Sequence, residues 1–215
     1  MNRKNEAYIY IKDAILDNKF PQGTPLREVD IATSLKMSRS PVREALRDLE
    51  SEGIVVSYPG RGTFVSTLTP YDVEEIYDLR AMLEEYALKK SFSRITPEDL
   101  DEVENNFKVA QSNFDWEQYH MADRALHGLI VGKCGNKRLI QFLDTLNFQV
   151  ERIRRFSDHN KARTSGARLQ EHLDIISFMR KGDLDGSLNA LRLHLRNVAD
   201  SAIDTCRELI AQSNY

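Results

Sequence analysis

The stretch Leu35-Lys36-Met37-Ser38-Arg39-Ser40-Pro41-Val42-Arg43-Glu44-Ala45-Leu46-Arg47-Asp48-Leu49-Glu50-Ser51-Glu52-Gly53-Ile54-Val55 decides the fold of the first third of this 215-residue chain. At about 100° per residue, Val42, Ala45, Leu46 and Leu49 cluster on one side of a helix. Arg39, Arg43 and Arg47 step by four and form a second stripe roughly 110° away. Ser38 or Ser40 is placed to cap the start, Pro41 in the first turn costs no backbone bond, and Gly53 is a natural stop. Lys36 joins the three arginines and Glu44 is the only acid among residues 36–47, so the segment carries +3. A packing face beside a guanidinium face at a helix start is what docking in a DNA major groove requires. Such cations neutralise phosphates, and one arginine can grip O6 and N7 of guanine together. Taken alone, the same stripe also describes a solvated helix face.

The flanks narrow the choice. Upstream, Ala7, Ile11, Ala14 and Ile15 predict an amphipathic helix, and Gly23 and Pro25 break the chain. A short helix with Ile31, Ala32 and Leu35 inward follows, and Lys36-Met37-Ser38 is the tight connection to the arginine helix. Helix, short turn, helix is the helix-turn-helix outline. Downstream, Ile54–Tyr58 and Thr63–Ser66 are β-prone runs around a Pro59-Gly60-Arg61-Gly62 tip, which predicts a hairpin. A hairpin straight after a recognition helix is a wing, with Arg61 at its tip aimed at minor groove or phosphate.

A polar joint, Ser66-Thr67-Leu68-Thr69-Pro70, ends this region, giving a domain of residues 1–68 and a second of 69–215. Beyond it the pattern is helical throughout, with nothing that reads as a strand. Thr69-Pro70 and Thr96-Pro97 each read as an N-cap followed by proline in the first helical position. Helices are expected near 70–91, 97–112, 115–133, 136–156, 161–181 and 184–210. Leu79, Met82, Leu83, Tyr86 and Ala87 keep a 3.6-residue stripe, as do Leu139, Phe142, Leu143, Leu146 and Val150. Six such helices with short joints make an antiparallel bundle. The fold class is therefore mainly α: a winged helix-turn-helix of three helices plus a hairpin, then a six-helix bundle.

All five histidines lie in the bundle half. Asp123 and His127 are four apart and project from one helix face. His172 precedes Gly182 by ten residues and His194 follows it by twelve, which sets both at similar heights in a helical hairpin. Three neutral imidazoles and a carboxylate suit a transition metal such as Zn²⁺, Ni²⁺, Mn²⁺ or Fe²⁺, with positions left for water or a carboxylate ligand. The height arithmetic permits this meeting without forcing it, and Asp-x-x-x-His is also a common surface pair. His120, one turn before Asp123, fits the rim of the site, the surface or the core edge. His159 fits a loop. Arg152, Arg154 and Arg155 fit either an anionic pocket or a basic solvated helix end. Trp116 fits core or interface, and Cys134 and Cys206 fit apolar fillers.

Bulk properties exclude more than they select. Lys+Arg total 30 against 33 Asp+Glu, a net −3; residues 1–68 hold 10 against 9 (+1) and the rest 20 against 24 (−4). That balance argues against a basic nucleic-acid coat protein. No apolar run reaches the roughly 18 residues of a membrane span, residues 1–10 lack a signal-peptide core, and two cysteines make no disulfide framework. A cytoplasmic setting is the expectation.

The 35–55 stretch, above all the segment Ser38–Leu46, resembles the winged-helix signature of the GntR family of bacterial transcription regulators. The resemblance implies a homodimer on a pseudo-palindromic operator, with Ser38, Arg39, Ser40, Arg43 and the wing residues Gly60, Arg61 and Gly62 on DNA and Arg47 on phosphate. The chain departs from that pattern at Lys36-Met37, where Gly-Val is frequent, and Arg27 is offset from the family's second-helix arginine. The Asp123–His127 segment, the Glu171-His172 pair followed by Ile175-Ile176, the Gly182-Asp183 break and His194 resemble the FCD ligand-sensing domain of the FadR-type branch, in its shorter VanR-like form. By that resemblance Asp123, His127, His172 and His194 fall on metal-ligand positions. Arg80, followed by Glu84, falls where the domain offers a guanidinium to a small carboxylate effector. Two other classes stay open: a metal-dependent hydrolase or isomerase with an appended DNA-binding module, and an architectural DNA protein, against which the acidic bundle argues.

Overall fold

The computed structural model describes residues 2–113, 116–157 and 161–213. The arginine helix, α3 (Arg39–Ser51), buries Val42, Ala45, Leu46 and Leu49 and leaves Arg39, Arg43 and Arg47 in solvent. Its apolar face packs on α1 (Arg3–Leu16), which buries Ala7, Ile11, Ala14 and Ile15, and on α2 (Glu28–Ser34), which buries Ile31 and Ala32. Burying a Leu- or Ile-sized side chain contributes about 1.5–3 kcal/mol, so these residues carry the assembly of the three helices. Ser38 occupies the N-cap position, but its side chain makes no capping bond, and the Ser40 hydroxyl turns instead to Glu44 at 3.4 Å. Beyond the helix, Ile54 N–H donates to Leu49 O at 2.9 Å, closing the last turn across Gly53.

The wing forms as expected. Strands β2 (Val55–Tyr58) and β3 (Gly62–Val65) pair antiparallel, with Tyr58 opposite Gly62. Gly60 at φ +72° and Gly62 at φ +96° take the left-handed backbone that the tight tip needs. A third strand, β1 (Pro25–Leu26), where the sequence suggests only a chain break, adds to the other edge of β3 for an order β1-β3-β2. Proline suits that place, since an edge strand need not donate from every residue.

Six helices follow among the described residues: α4 (Pro70–Ser91), α5 (Pro97–Asn113), α6 (Trp116–Gly132), α7 (Lys137–Ser157), α8 (Lys161–Arg180) and α9 (Leu184–Ser213). Thr96 and Asp99 make a reciprocal capping box at the start of α5, Asp99 N to Thr96 Oγ1 at 3.3 Å and Thr96 N to Asp99 Oδ2 at 2.8 Å. Between α8 and α9, Gly182 at φ +71° and the bond from Asp183 N to Phe178 O reverse the chain, and Asp183 Oδ1 caps α9 through Gly186 N. Phe107, Leu126, Ile130, Leu143, Ile175 and Leu191 are fully enclosed at the centre of the bundle.

The chain divides into two compact units, Met1–Thr69 with Glu151–Arg155, and Pro70–Val150 with Phe156–Tyr215. Within the first unit, buried Arg152 donates to Ser66 Oγ at 3.0 Å and Ser66 O at 2.7 Å, and Arg155 to Leu16 O at 3.3 Å. Arg152 is thus buried and bonded to Ser66 rather than standing in solvent at a basic helix end.

The expected stripe on α4 is corrected. Ala87 is buried and Leu83 partly so, but Leu79, Met82 and Tyr86 face solvent. The buried face of α4 carries Val73, Tyr77, Ala87 and Leu88 around a charged pair, Arg80 and Glu84. On α7, Leu139, Leu143 and Val150 are buried as the periodicity suggests, while Phe142 is exposed. Cys134 and Cys206 are buried, Trp116 is half-buried against Tyr119 and His120, and His159 lies outside the described residues.

Candidate functional site

The first unit presents one basic surface. Ser38, Arg39, Ser40, Arg43 and Arg47 are all exposed on the start and outer face of α3, and Gly60, Arg61 and Gly62 are exposed at the wing tip. Arg61 lies over the Tyr58 ring, 5.7 Å from guanidinium carbon to centroid. Glu28, at the start of α2, receives two bonds from Arg43, Nε to Oε1 at 2.7 Å and Nη2 to Oε2 at 2.8 Å. That grip uses the Nε/Nη2 edge of a guanidinium whose side chain stays half exposed, and the remaining N–H groups of an arginine so held can still bond O6 and N7 of guanine. Arg43 holds the Glu28 carboxyl below its ordinary range. Nothing in the sequence signals this pair, since the partners are fifteen residues apart on different helices. Lys36 stands at φ +50°, so the turn carries a left-handed lysine.

The second unit brings together four residues the sequence could only place at compatible heights. Asp123 and His127 on α6, His172 on α8 and His194 on α9 are all buried, and each offers a ligand atom within 4.8 Å of the others. Ring centroids of His172 and His194 are 4.2 Å apart, and those of His127 and His194 5.4 Å. Donors set tetrahedrally on one ion at bonds of about 2.1 Å lie about 3.4 Å apart, so the set closes on an ion by drawing its most separated atoms inward.

The outer nitrogens fix which way the imidazoles work. His172 Nδ1 lies 2.8 Å from the Arg168 carbonyl, which can only accept, so Nδ1 carries the proton; the Tyr119 hydroxyl is 3.1 Å from the same nitrogen. His127 Nδ1 lies 2.5 Å from Glu84 Oε2, and His194 Nδ1 lies 2.9 Å from Glu171 Oε2. Protons on the three Nδ1 atoms leave three Nε2 lone pairs pointing inward. Nε2 of His127 and Nε2 of His194 are buried with no hydrogen-bond partner among the described residues. His172 Nε2 stands 3.0 Å from Asp123 Oδ1, lone pair against carboxylate, an apposition that repels unless a cation joins it. Imidazoles held from behind by carboxylates and a carbonyl are the arrangement that metal-binding histidines use. The donor set therefore fits a divalent transition metal.

The charges around the cluster are arranged for the same end. Burial opposes the Glu84 carboxylate, yet Arg80 and His127 outweigh it and hold its pKa at about 2. Burial likewise opposes the Arg80 guanidinium, and Glu84, Tyr77 and Asp123 keep it firmly protonated. Arg80 Nε donates to Glu84 Oε1 at 2.6 Å, and among the described residues its Nη groups make no further hydrogen bond. Burial lowers the basicity of His172, and burial with its two neighbouring imidazoles lowers that of His194 further, which favours the neutral, metal-ready forms. Burial raises the Glu171 carboxyl, against a bond from Asn197. Stability does not account for this investment, because a buried ion pair is often no better than well-packed apolar residues of similar volume. The backing role of Glu84 and Glu171 was invisible in the sequence, although each sits near a singled-out residue. Tyr119 gave no signal. His120 is buried against Trp116 and Tyr119, outside the cluster.

Comparison with known proteins gives the class that this basic winged head and this bundle define. The FCD domain profile matches residues 75–197, and the profile of bacterial regulatory proteins of the gntR family matches residues 3–65. The chain belongs to the GntR family of transcription regulators, with an FCD domain. Among curated relatives, the HTH-type transcriptional repressor RspR of Escherichia coli is 26% identical over 91% of this chain and 87% of its own length. A GntR transcriptional regulator from Rhodococcus sp. RHA1 has the same fold, with a TM-score of 0.78 at 22% identity over 95% of this chain and 99% of that one. The Zn²⁺-bound FCD domain of TM0439 superposes with a TM-score of 0.57 at 22% identity, over 65% of this chain and 96% of that domain. These families and relatives are transcription regulators, not enzymes, which sets the hydrolase or isomerase reading aside. No helix among the described residues is long and apolar enough to cross a membrane.

Proposed function

We propose that this GntR-family regulator acts in the cytoplasm as a homodimer on a pseudo-palindromic DNA operator, and that a small carboxylate effector controls its affinity. Residues 1–68 form the DNA-binding domain. Ser38, Arg39, Ser40 and Arg43 read base edges or nearby phosphates, Arg47 holds phosphate, and Gly60, Arg61 and Gly62 engage the duplex from the wing. Residues 69–215 form the sensing and dimerisation domain, of the FadR-type branch and its six-helix VanR-like form. Asp123, His127, His172 and His194 hold one divalent transition metal, and the Nη groups of Arg80 receive the effector carboxylate beside it. The metal-bound form of the TM0439 domain supports this assignment. The observation that carries it is the inward convergence of three imidazole Nε2 atoms, two of them without any hydrogen-bond partner among the described residues. An effector can switch the head only by binding one arrangement of the bundle better than another.

The test is a gel shift of the full chain on DNA upstream of its own gene, with a panel of carboxylic acids including acetate, succinate and citrate, with and without a chelator. The expected result is a retained complex that responds to one class of acid, with the response lost on chelation. Equal affinity for that DNA and for scrambled sequence would remove the regulator's base-reading role. An acid response untouched by chelation would remove the metal from the effector site.

A further inference from the structure

Tyr77, on the buried face of α4, is 3% exposed, and its hydroxyl has no hydrogen-bond partner among the described residues. A phenol O–H taken out of water and left unpaired weakens a fold, and phenylalanine would fill the same space without that cost. Packing alone therefore gives no reason for the oxygen.

Its position gives one. Tyr77 stands three residues before Arg80, so the two side chains share a helix face, and the Arg80 guanidinium carbon lies 5.6 Å from the centroid of the Tyr77 ring. The guanidinium is within electrostatic reach of the Tyr77 oxygen and of Asp123, and its own charge bears on His194. Tyr77 is thus tied through Arg80 to the Asp123 and His194 side of the cluster. Arg80 Nε is committed to Glu84, while the Nη groups make no further hydrogen bond among the described residues. Two sets of donors, the Arg80 Nη–H groups and the Tyr77 O–H, therefore share one buried helix face without an acceptor. An oxygen-rich anion supplies what both lack.

Charge narrows the anion. Asp123 and Glu84 are the buried carboxylates of the site and Arg80 is its buried cation, while half-buried Glu171 has Arg168 to balance it. With neutral imidazoles, a divalent ion leaves this interior one positive charge in excess. One carboxylate neutralises that excess. A second would enter a buried site with no further cation to pair with among the described residues.

We infer that Tyr77 is a specificity-determining residue: its hydroxyl and the Arg80 guanidinium clamp a single carboxylate group, and the effector is a monocarboxylate. This rests on the effector reading above and narrows it to one class of acid.

The test uses the full chain loaded with Zn²⁺ and titrated by calorimetry with acetate, propionate, succinate and glutarate at fixed ionic strength, for wild type and for Tyr77→Phe. Wild type is expected to bind the better monocarboxylate at least about tenfold more tightly than either dicarboxylate. Tyr77→Phe removes only the oxygen and should weaken that binding about tenfold or more, since a hydrogen bond to a charged group is lost. Its Zn²⁺ affinity should not change, and its melting temperature without acid should be no lower than that of wild type, because the unpaired hydroxyl is gone. Equal acid affinity in the two proteins, a parallel fall in Zn²⁺ affinity, or dicarboxylates bound as tightly as monocarboxylates would overturn the inference and leave the effector reading standing. Failure of wild type to bind any of the four acids would overturn both together.

Discussion

Helices α3 and α4 divide their side chains between interior and solvent differently. Helix α3 buries Val42, Ala45, Leu46 and Leu49 and shows its arginines to solvent. Helix α4 buries Arg80 and Glu84 and shows Leu79, Met82 and Tyr86 to solvent. In α3 the interior serves folding and the proposed DNA contacts sit outside. In α4 a charged pair, the proposed effector site, is buried among the apolar side chains, and part of the apolar surface faces outward.

The comparison is broken most forcefully at Arg80. Arg80→Ala strands Glu84 in the interior and should cost about 3–5 kcal/mol of unfolding free energy by urea denaturation. Replacing both, Arg80→Leu with Glu84→Leu, should recover most of that loss while abolishing any response to carboxylic acids. If the double variant is as unstable as the single one, the pair is structural and its burial in α4 has no functional meaning. Glu84→Gln should next weaken metal binding about 10- to 100-fold, because His127 loses the carboxylate that orients it. Competition against a zinc-chelating dye measures this, and an unchanged affinity would strip Glu84 of its backing role.

On the α3 side the effects are expected in DNA binding. Arg43→Ala should weaken operator binding about 5- to 150-fold and relax specificity at one base pair, whereas Arg47→Ala should weaken all sequences alike. A uniform loss for Arg43→Ala would assign it to phosphate. The smallest effect is at the turn: Lys36→Gly should raise stability by about 1 kcal/mol by relieving its left-handed backbone. A lower melting temperature for that variant would show that the lysine side chain contributes more than its backbone costs.

The same contrast explains what the sequence could and could not say. The α3 pattern was legible because burial and hydrophobicity agree there, and Thr96-Pro97 was legible because the cap is local. Strand β1 was not, being two residues long with a proline, and defined only by β3 beside it. For the cluster, residue counts from Gly182 set the heights of His172 and His194, but rotation about each helix axis, which decides whether they face, follows from packing. The Arg43–Glu28 and His127–Glu84 bonds depend on how helices cross, which no spacing along one helix encodes. On α4 the periodicity was real, and the error lay in assuming that apolar means inward.

The most direct test of the account is to strip the full chain of metal and titrate Zn²⁺ back by calorimetry, with unfolding followed in parallel. The account predicts one ion per chain, bound in wild type and lost in a His127→Ala, His194→Ala variant. Free Zn²⁺ at a hundred times its dissociation constant should stabilise the fold by about 2.7 kcal/mol. No bound ion and an unchanged melting temperature at micromolar free Zn²⁺ would contradict the claim that the inward face of this bundle was built to hold one.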